Sequence, residues 1–166
     1  MNTNYDEFIS LTQDILENKE FIKLRDVMHH GMNRYEHSFR VAVVSYGIAK
    51  FLRLDYEKTA RGALLHDFFL EENVGEELVT RLKTLYKHPF YALENSNKYF
   101  YLSELEKDII VSHMFPVNFK IPKYLESWIV DITDDIISIY ERLFGFRKQL
   151  TFAVSFVFIL FMNRVK

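Results

Sequence analysis

Histidine and aspartate are the residues of this 166-residue chain that are best suited to chemistry. Four of its six histidines, with two aspartates, are predicted to lie on the inner faces or at the ends of successive helices. Imidazole and carboxylate together suit Fe, Mn or Zn, whereas Mg and Ca prefer sites made of oxygen alone. Ligands from separate helices can converge in a helical bundle and hold two metals. The set comprises His37, His66, Asp67, His88, His113 and one of Asp134 and Asp135.

The His66-Asp67 pair lies in a predicted helix whose neighbouring positions are unusual. His66 shares its face with the small residues Thr59, Gly62 and Ala63, so another helix can approach closely there. Asp67 follows in an apolar stretch, where burying an unpaired carboxylate would cost several kcal/mol. A bound cation would remove that cost. The alternative is that Asp67 bonds to a helix terminus or to Arg61.

His37 begins a helical face that is otherwise apolar. The face continues through Val41, Val44, Ile48 and Phe51, which predicts that His37 points inward. A single inward histidine is more often a hydrogen-bonded core residue than a metal ligand, so His37 gains its meaning only from the other residues.

His88 and His113 are predicted to lie at helix ends. Pro89 suits the first position of a helix, which would make His88 an N-cap residue in an extended conformation. His113 comes near the end of its helix, after Ile109 and Ile110. Both histidines also have an ordinary interpretation, as a cap or as a core polar group.

The helix predicted near 123–144 carries three aspartates, and periodicity does not show which of them is the ligand. Asp131 is predicted to point away from the apolar arc, while Asp134 and Asp135 flank its two edges. The arc runs through Ile129, Ile132, Ile136, Ile137 and Tyr140.

Helical spacing of apolar residues throughout the chain predicts an all-α, single-domain fold over residues 1–166. Asp55 is expected to cap one helix, and Ser103 with Glu106 forms a capping box for another. We expect helices near 5–17, 20–28, 36–53, 56–69, 75–86, 89–99, 104–114, 123–144 and 148–163.

Composition excludes several kinds of protein. Without cysteine there can be no disulfide, thiolate ligand or cysteine nucleophile. A net charge of -2 argues against nucleic acid as the main partner. The N-terminal residues carry acidic groups and no long apolar run, so they do not form a secretory signal, and a cytoplasmic protein is expected.

Residues 149–163 form an uncharged apolar segment. As a helix it would be about 22 Å long, against roughly 30 Å of bilayer hydrocarbon. A buried C-terminal helix or a homodimer contact is therefore the favoured interpretation. The alternative is a membrane-surface anchor, helped by the basic residues at 147–148 and 164–166.

Taken together, the H…HD…D pattern resembles the HD-domain superfamily of metal-dependent phosphohydrolases. The resemblance covers residues 30–140, which would form the HD core. The family places an apolar pair four to five residues before its last ligand, and Ile129-Val130 then selects Asp134. The matching stretches are Arg34 to Ala42, Ala60 to Asp67, His88-Pro89, Ser112-His113 and Ile129 to Asp134.

The resemblance implies a metal-dependent phosphohydrolase with two Fe or Mn ions, or Zn, that acts on a phosphate ester or phosphoanhydride, expected to be a nucleotide. Water activated by the metals would attack phosphorus, with His66 and Asp67 at the catalytic centre. The chain resembles the two-metal bacterial branch that includes symmetrical dinucleoside tetraphosphatases, and it lacks the Gly-Tyr-Pro motif of the cyclic-dinucleotide branch. The implied first metal has the ligands His37, His66, Asp67 and Asp134, and the second has Asp67 as a bridge with His88 and His113.

The loop before the His37 helix offers a second kind of contact. His30, assisted by Arg34 or Lys87, would bind a substrate phosphate at the mouth of the site. The alternative is an ordinary polar loop. For the whole chain, the competing hypothesis is a non-catalytic HD-fold module that senses a nucleotide or binds a partner.

Overall fold

The computed structural model describes residues 3–29, 32–70 and 78–143, and within these ranges the fold is all-α. A 3-10 turn at Lys23–Asp26 and a short antiparallel pair, β1 at Met28–His29 and β2 at Met32–Asn33, connect α2 to α3. The helices are α1 Thr3–Leu16, α2 Lys19–Ile22, α3 Arg34–Phe51, α4 Tyr56–Leu65, α5 Leu78–Tyr99, α6 Glu104–Ser112 and α7 over residues 125–143.

Helix α4 lies at the centre and packs against α1, α3 and α6. Its small residues Thr59, Gly62 and Ala63 are fully buried or nearly so. A Cβ at Gly62 would lie 2.9 Å from Ile109 Cδ1 of α6, so only glycine allows this approach. The prediction that another helix comes close at this face of α4 is confirmed.

Side-chain caps and one charged network fix the ends of the central helices. Asp55 accepts the Lys58 N–H at 3.1 Å, and the capping box of Ser103 and Glu106 is complete. Arg61 of α4 bonds to Asp14 of α1 and to Glu106 of α6. The described hydrogen bonds of Arg61 therefore go to Asp14 and Glu106 rather than to Asp67. The two predicted caps, at Asp55 and at Ser103 with Glu106, are confirmed.

Helix α5 is continuous through Pro89, and this corrects the predicted break into 75–86 and 89–99. His88 accordingly lies inside a helix and is not an extended N-cap residue. Pro89 removes the backbone hydrogen bond to the Leu85 carbonyl. Packing offsets that loss, because Pro89, Ala92 and Ser96 are buried on one side of the helix.

The inward face of α3 also differs from the predicted stripe. His37 and Val41 are fully buried, but Phe51 is 85% exposed, and Val44 and Ile48 lie at the surface as well. Four small side chains also lie on the buried face, which lets α3 pack closely on α4. They are Ser38, Ala42, Ser45 and Ala49.

Helix α7 turns a different face inward from the one predicted, although Ile137 of the predicted apolar arc still packs against the core. Asp131 is buried, at 4% exposure, whereas Ile132 and Ile136 are more than half exposed. The prediction from hydrophobicity alone was wrong because polar residues of this helix, Asp134 among them, face the interior.

The apolar segment 149–163, with its predicted helix 148–163 and homodimer contact, lies outside the described residues. None of the helices described here has the length and hydropathy that crossing a bilayer requires.

Gly62→Ala should destabilise the fold by about 1–3 kcal/mol, because the added methyl group meets Ile109 in a packed interior. Gly47→Ala in α3 is the matched control, since nothing lies within 4 Å of its Cβ position. It should stabilise the protein by about 0.5–1 kcal/mol, the usual gain from glycine to alanine in a helix. Urea unfolding measures both, and equal effects would contradict the close packing of α4 on α6.

Candidate metal centre

His66 and His113 occupy equivalent places, because each is the C-cap residue of its helix. His66 Nδ1 donates to the Ala63 carbonyl at 2.6 Å, and His113 Nδ1 donates to the Ile110 carbonyl at 2.8 Å. The last carbonyls of a helix have no helical partner, so they are available to these rings. Since a carbonyl only accepts, Nδ1 carries the hydrogen and Nε2 is left as a lone-pair donor.

Six predicted ligands converge in one buried cluster. Each is at most 7% exposed. Ligand atoms of His37, His66 and Asp67 lie within 4.8 Å of one another, and so do those of Asp67, His88 and His113. Asp67 therefore belongs to two adjacent groups. A third group, formed by His66, His113 and Asp134, joins the two.

The donor set fits a bound cation. His66 Nε2 is buried and has no hydrogen-bond partner within the described part of the chain. His88 Nε2 and His113 Nε2 lie 2.9 Å apart, and they lie 3.4 and 3.7 Å from Asp67 Oδ1. Several lone pairs thus point at the same small region, which a metal ion would satisfy.

The second group consists of neutral imidazoles. Burial lowers the pKa of His113 to about 3, with further repulsion from His66 and His88. Burial also lowers the pKa of His88. Both rings are therefore in the uncharged form that binds metals.

His37 lies between two carboxylates of α7. Its Nε2 is 2.8 Å from Asp134 Oδ1, and its Nδ1 is 2.9 Å from Glu141 Oε2. Burial would lower the pKa of His37, but the hydrogen bonds to both carboxylates outweigh it and raise the pKa to about 10. Burial alone would raise the pKa of Asp134, but the hydrogen bond from His37 and the nearby His66 ring, whose Nε2 is 3.7 Å from Asp134 Oδ1, hold that pKa well below its usual value.

Sequence reasoning missed Glu141. It follows Asp134 by seven residues, which is two helical turns, so both carboxylates face the same side of α7. This spacing from Asp134 is the feature of the sequence that could have indicated Glu141.

The structure brings Asp134, and neither Asp131 nor Asp135, into the cluster. Asp131 is buried elsewhere and accepts the Phe115 N–H at 3.2 Å. Burial, with the nearby charge of Asp135, raises the pKa of Asp131 to about 7. Asp135 is exposed.

Arg34 was predicted to contact substrate, and the structure places it beside Asp67. It is buried, and its Nη1 donates to the Phe69 carbonyl at 2.5 Å. Its guanidinium lies 3.7 Å from the centre of the Phe69 ring, and that ring stacks on His88. Arg34 Nε is also 3.7 Å from Asp67 Oδ2, so Arg34 holds the segment that carries Asp67.

The other two predicted substrate contacts are Lys87 and His30. Lys87 is exposed and directly precedes His88 in α5. His30 lies outside the described residues, between the two short strands.

Buried histidines and aspartates that converge from separate helices form a cluster of nitrogen and oxygen donors that could hold a metal ion. The HD domain family model matches residues 34–139, which is more than half of the chain, and the chain belongs to this family. Members of the HD-domain family are typically metal-dependent phosphohydrolases. A search of curated proteins found no match, and a search of solved structures found none either.

Asp131→Asn should stabilise the protein above neutral pH more than below it. The carboxyl group ionises near its ordinary pKa of 3.8 in the unfolded chain, but near 7 in the folded protein. The wild type therefore loses stability as the pH rises between about 4 and 7, and the asparagine variant lacks that loss. Urea unfolding of both metal-free proteins at about pH 5 and pH 8 measures the difference. An equal effect of the substitution at both values would contradict the burial of an ionisable Asp131.

Proposed function

We propose that this protein is a phosphohydrolase that uses two divalent metal ions to hydrolyse a phosphate ester or phosphoanhydride, with a nucleotide as substrate. The observation that carries the proposal is the sharing of Asp67 between two adjacent groups of buried ligands. One carboxylate in two groups is the arrangement expected of a bridging ligand, and two metals a few ångströms apart suit in-line phosphoryl transfer.

The resemblance to the two-metal branch divides the ligands between two sites. His37, His66 and Asp134 would hold the first ion, His88 and His113 the second, and Asp67 both. Divalent cations there, Fe or Mn or in their place Zn, would supply Lewis acidity toward the phosphoryl group and lower the pKa of water.

The protein contributes orientation and exclusion of solvent. Backbone carbonyls fix the rings of His66 and His113, and the stack on Phe69 fixes His88. Rings held this way need little rearrangement when a cation binds. Burial keeps bulk water from the cluster, which strengthens every charge interaction within it.

Recognition of a phosphate fits the positive charge near the site. Lys87 is exposed beside His88, so its ammonium group is available to an incoming phosphate. We include His30 as a further contact, on its sequence position. The six-ligand set resembles that of the two-metal branch that includes symmetrical dinucleoside tetraphosphatases.

Purified protein should hydrolyse at least one member of a panel of nucleotides and dinucleoside polyphosphates after reconstitution with Mn²⁺ or Fe²⁺. EDTA should abolish the activity, and metal should restore it, because the reaction needs the bound ions. Phosphate release and metal analysis are the measurements. Nucleotide binding without turnover in metal-loaded protein would instead support a sensing module, and failure to bind any of these metals would refute the proposed centre.

His66→Ala and Asp67→Ala should reduce hydrolysis to background while leaving the helical circular dichroism largely unchanged. Asp134→Asn should have a similar effect on activity, since an amide is a weak replacement for a charged ligand. Asp131→Asn, one turn away on the same helix, is the matched control and should matter far less. Unfolding of the His66 and Asp67 variants would mean that the pair is structural, and a larger effect at Asp131 than at Asp134 would overturn the ligand assignment.

A further inference from the structure

We propose that Glu141 is a positioning residue for His37 and that it sets the metal affinity of the first site. This inference rests on the metal centre proposed above. The family match ends at residue 139, so it does not include Glu141.

The geometry separates Glu141 from the ligands. Its Oε2 lies 2.9 Å from His37 Nδ1, whereas Asp134 Oδ1 lies 2.8 Å from Nε2, on the other side of the ring. An imidazole that binds an ion through Nε2 directs Nδ1 away from that ion. Glu141 is thus placed to accept the Nδ1 hydrogen, and it is itself buried, at 4% exposure.

The position of His37 in its helix explains why a side chain must perform this task. His66 and His113 stand at helix C-termini, where free carbonyls accept their Nδ1 hydrogens. His37 lies in the first turn of α3, where the free backbone groups are N–H donors and not acceptors. Its Nδ1 therefore needs an acceptor from another element, and α7 supplies one.

A carboxylate in this place does more than a carbonyl. It makes Nδ1 the nitrogen that donates to Glu141, so that Nε2, which contacts Asp134 at 2.8 Å, is the nitrogen that would meet a metal, and the charge of Glu141 makes Nε2 a stronger donor. Arg40 Nη1 lies 3.8 Å from the other Glu141 oxygen, beyond hydrogen-bond distance, so the bond to His37 is what orients the carboxylate. The charge on Glu141 is thus used to strengthen the bond from His37 to the metal.

Two variants of the full chain test this role through Mn²⁺ binding, measured by isothermal titration calorimetry. Glu141→Leu removes the acceptor and should weaken binding by about 10–100-fold, the usual cost of losing such a partner. Glu141→Gln keeps an oxygen that accepts the Nδ1 hydrogen but loses the charge, so its effect should be smaller and in the same direction. Arg40→Met is the control, because it removes the ion pair with Glu141 and leaves the hydrogen bond to His37; its affinity should match the wild type.

Thermal unfolding of the same metal-free proteins distinguishes positioning from simple stability. Lower stability of the Glu141 variants with wild-type Mn²⁺ affinity would overturn the inference, and so would an Arg40→Met variant that loses affinity as much as Glu141→Leu. If Glu141→Leu does not fold, the Gln variant decides, since it preserves size and shape. Tight Mn²⁺ binding by a wild type that hydrolyses nothing would refute the proposed hydrolase while leaving the role of Glu141 open to this measurement.

Discussion

A carboxylate buried among imidazoles is the constraint around which this protein is arranged. Asp67 is 3% exposed, and His88 and His113 approach one of its oxygens at 3.4 and 3.7 Å. Such a charge costs several kcal/mol to bury unless opposite charge compensates it. Arg34 supplies part of that compensation behind Asp67, and a cation in front would supply the rest. The fold thus stabilises in one place a group that metal binding needs.

Helix ends are the means by which the chain orients its donors. Helices α4 and α6 each end at a histidine whose ring bonds to a carbonyl of the last turn. Gly62 lets these two helices approach until the His66 and His113 rings are 4.8 Å apart, centre to centre. The close packing of α4 on α6 therefore also sets the distance between the His66 and His113 rings.

The two halves of the centre differ in charge. Asp134 and Glu141 surround His37, whereas the half that holds His88 and His113 is made of neutral rings with lowered pKa values. Asp67 contributes to both. A cation is therefore attracted more strongly by charge to the first half, and the second half depends more on imidazole lone pairs. This difference follows from α7, because that helix places the carboxylates of Asp134 and Glu141 beside His37.

The sequence by itself determined the helical class, the caps and the ligand types, because these depend on local spacing and on residue chemistry. The small face beside His66 and the capping box at Ser103 were readable for that reason. The tertiary structure alone decided which face of α7 turns inward, since hydrophobicity pointed to Ile132, which is exposed, whereas Asp134 and Glu141 are buried. Packing likewise kept α5 continuous through Pro89. The contact of Glu141 with His37 was decided only when α7 came to lie against α3, because the spacing from Asp134 indicates the face of α7 but not a partner 104 positions away.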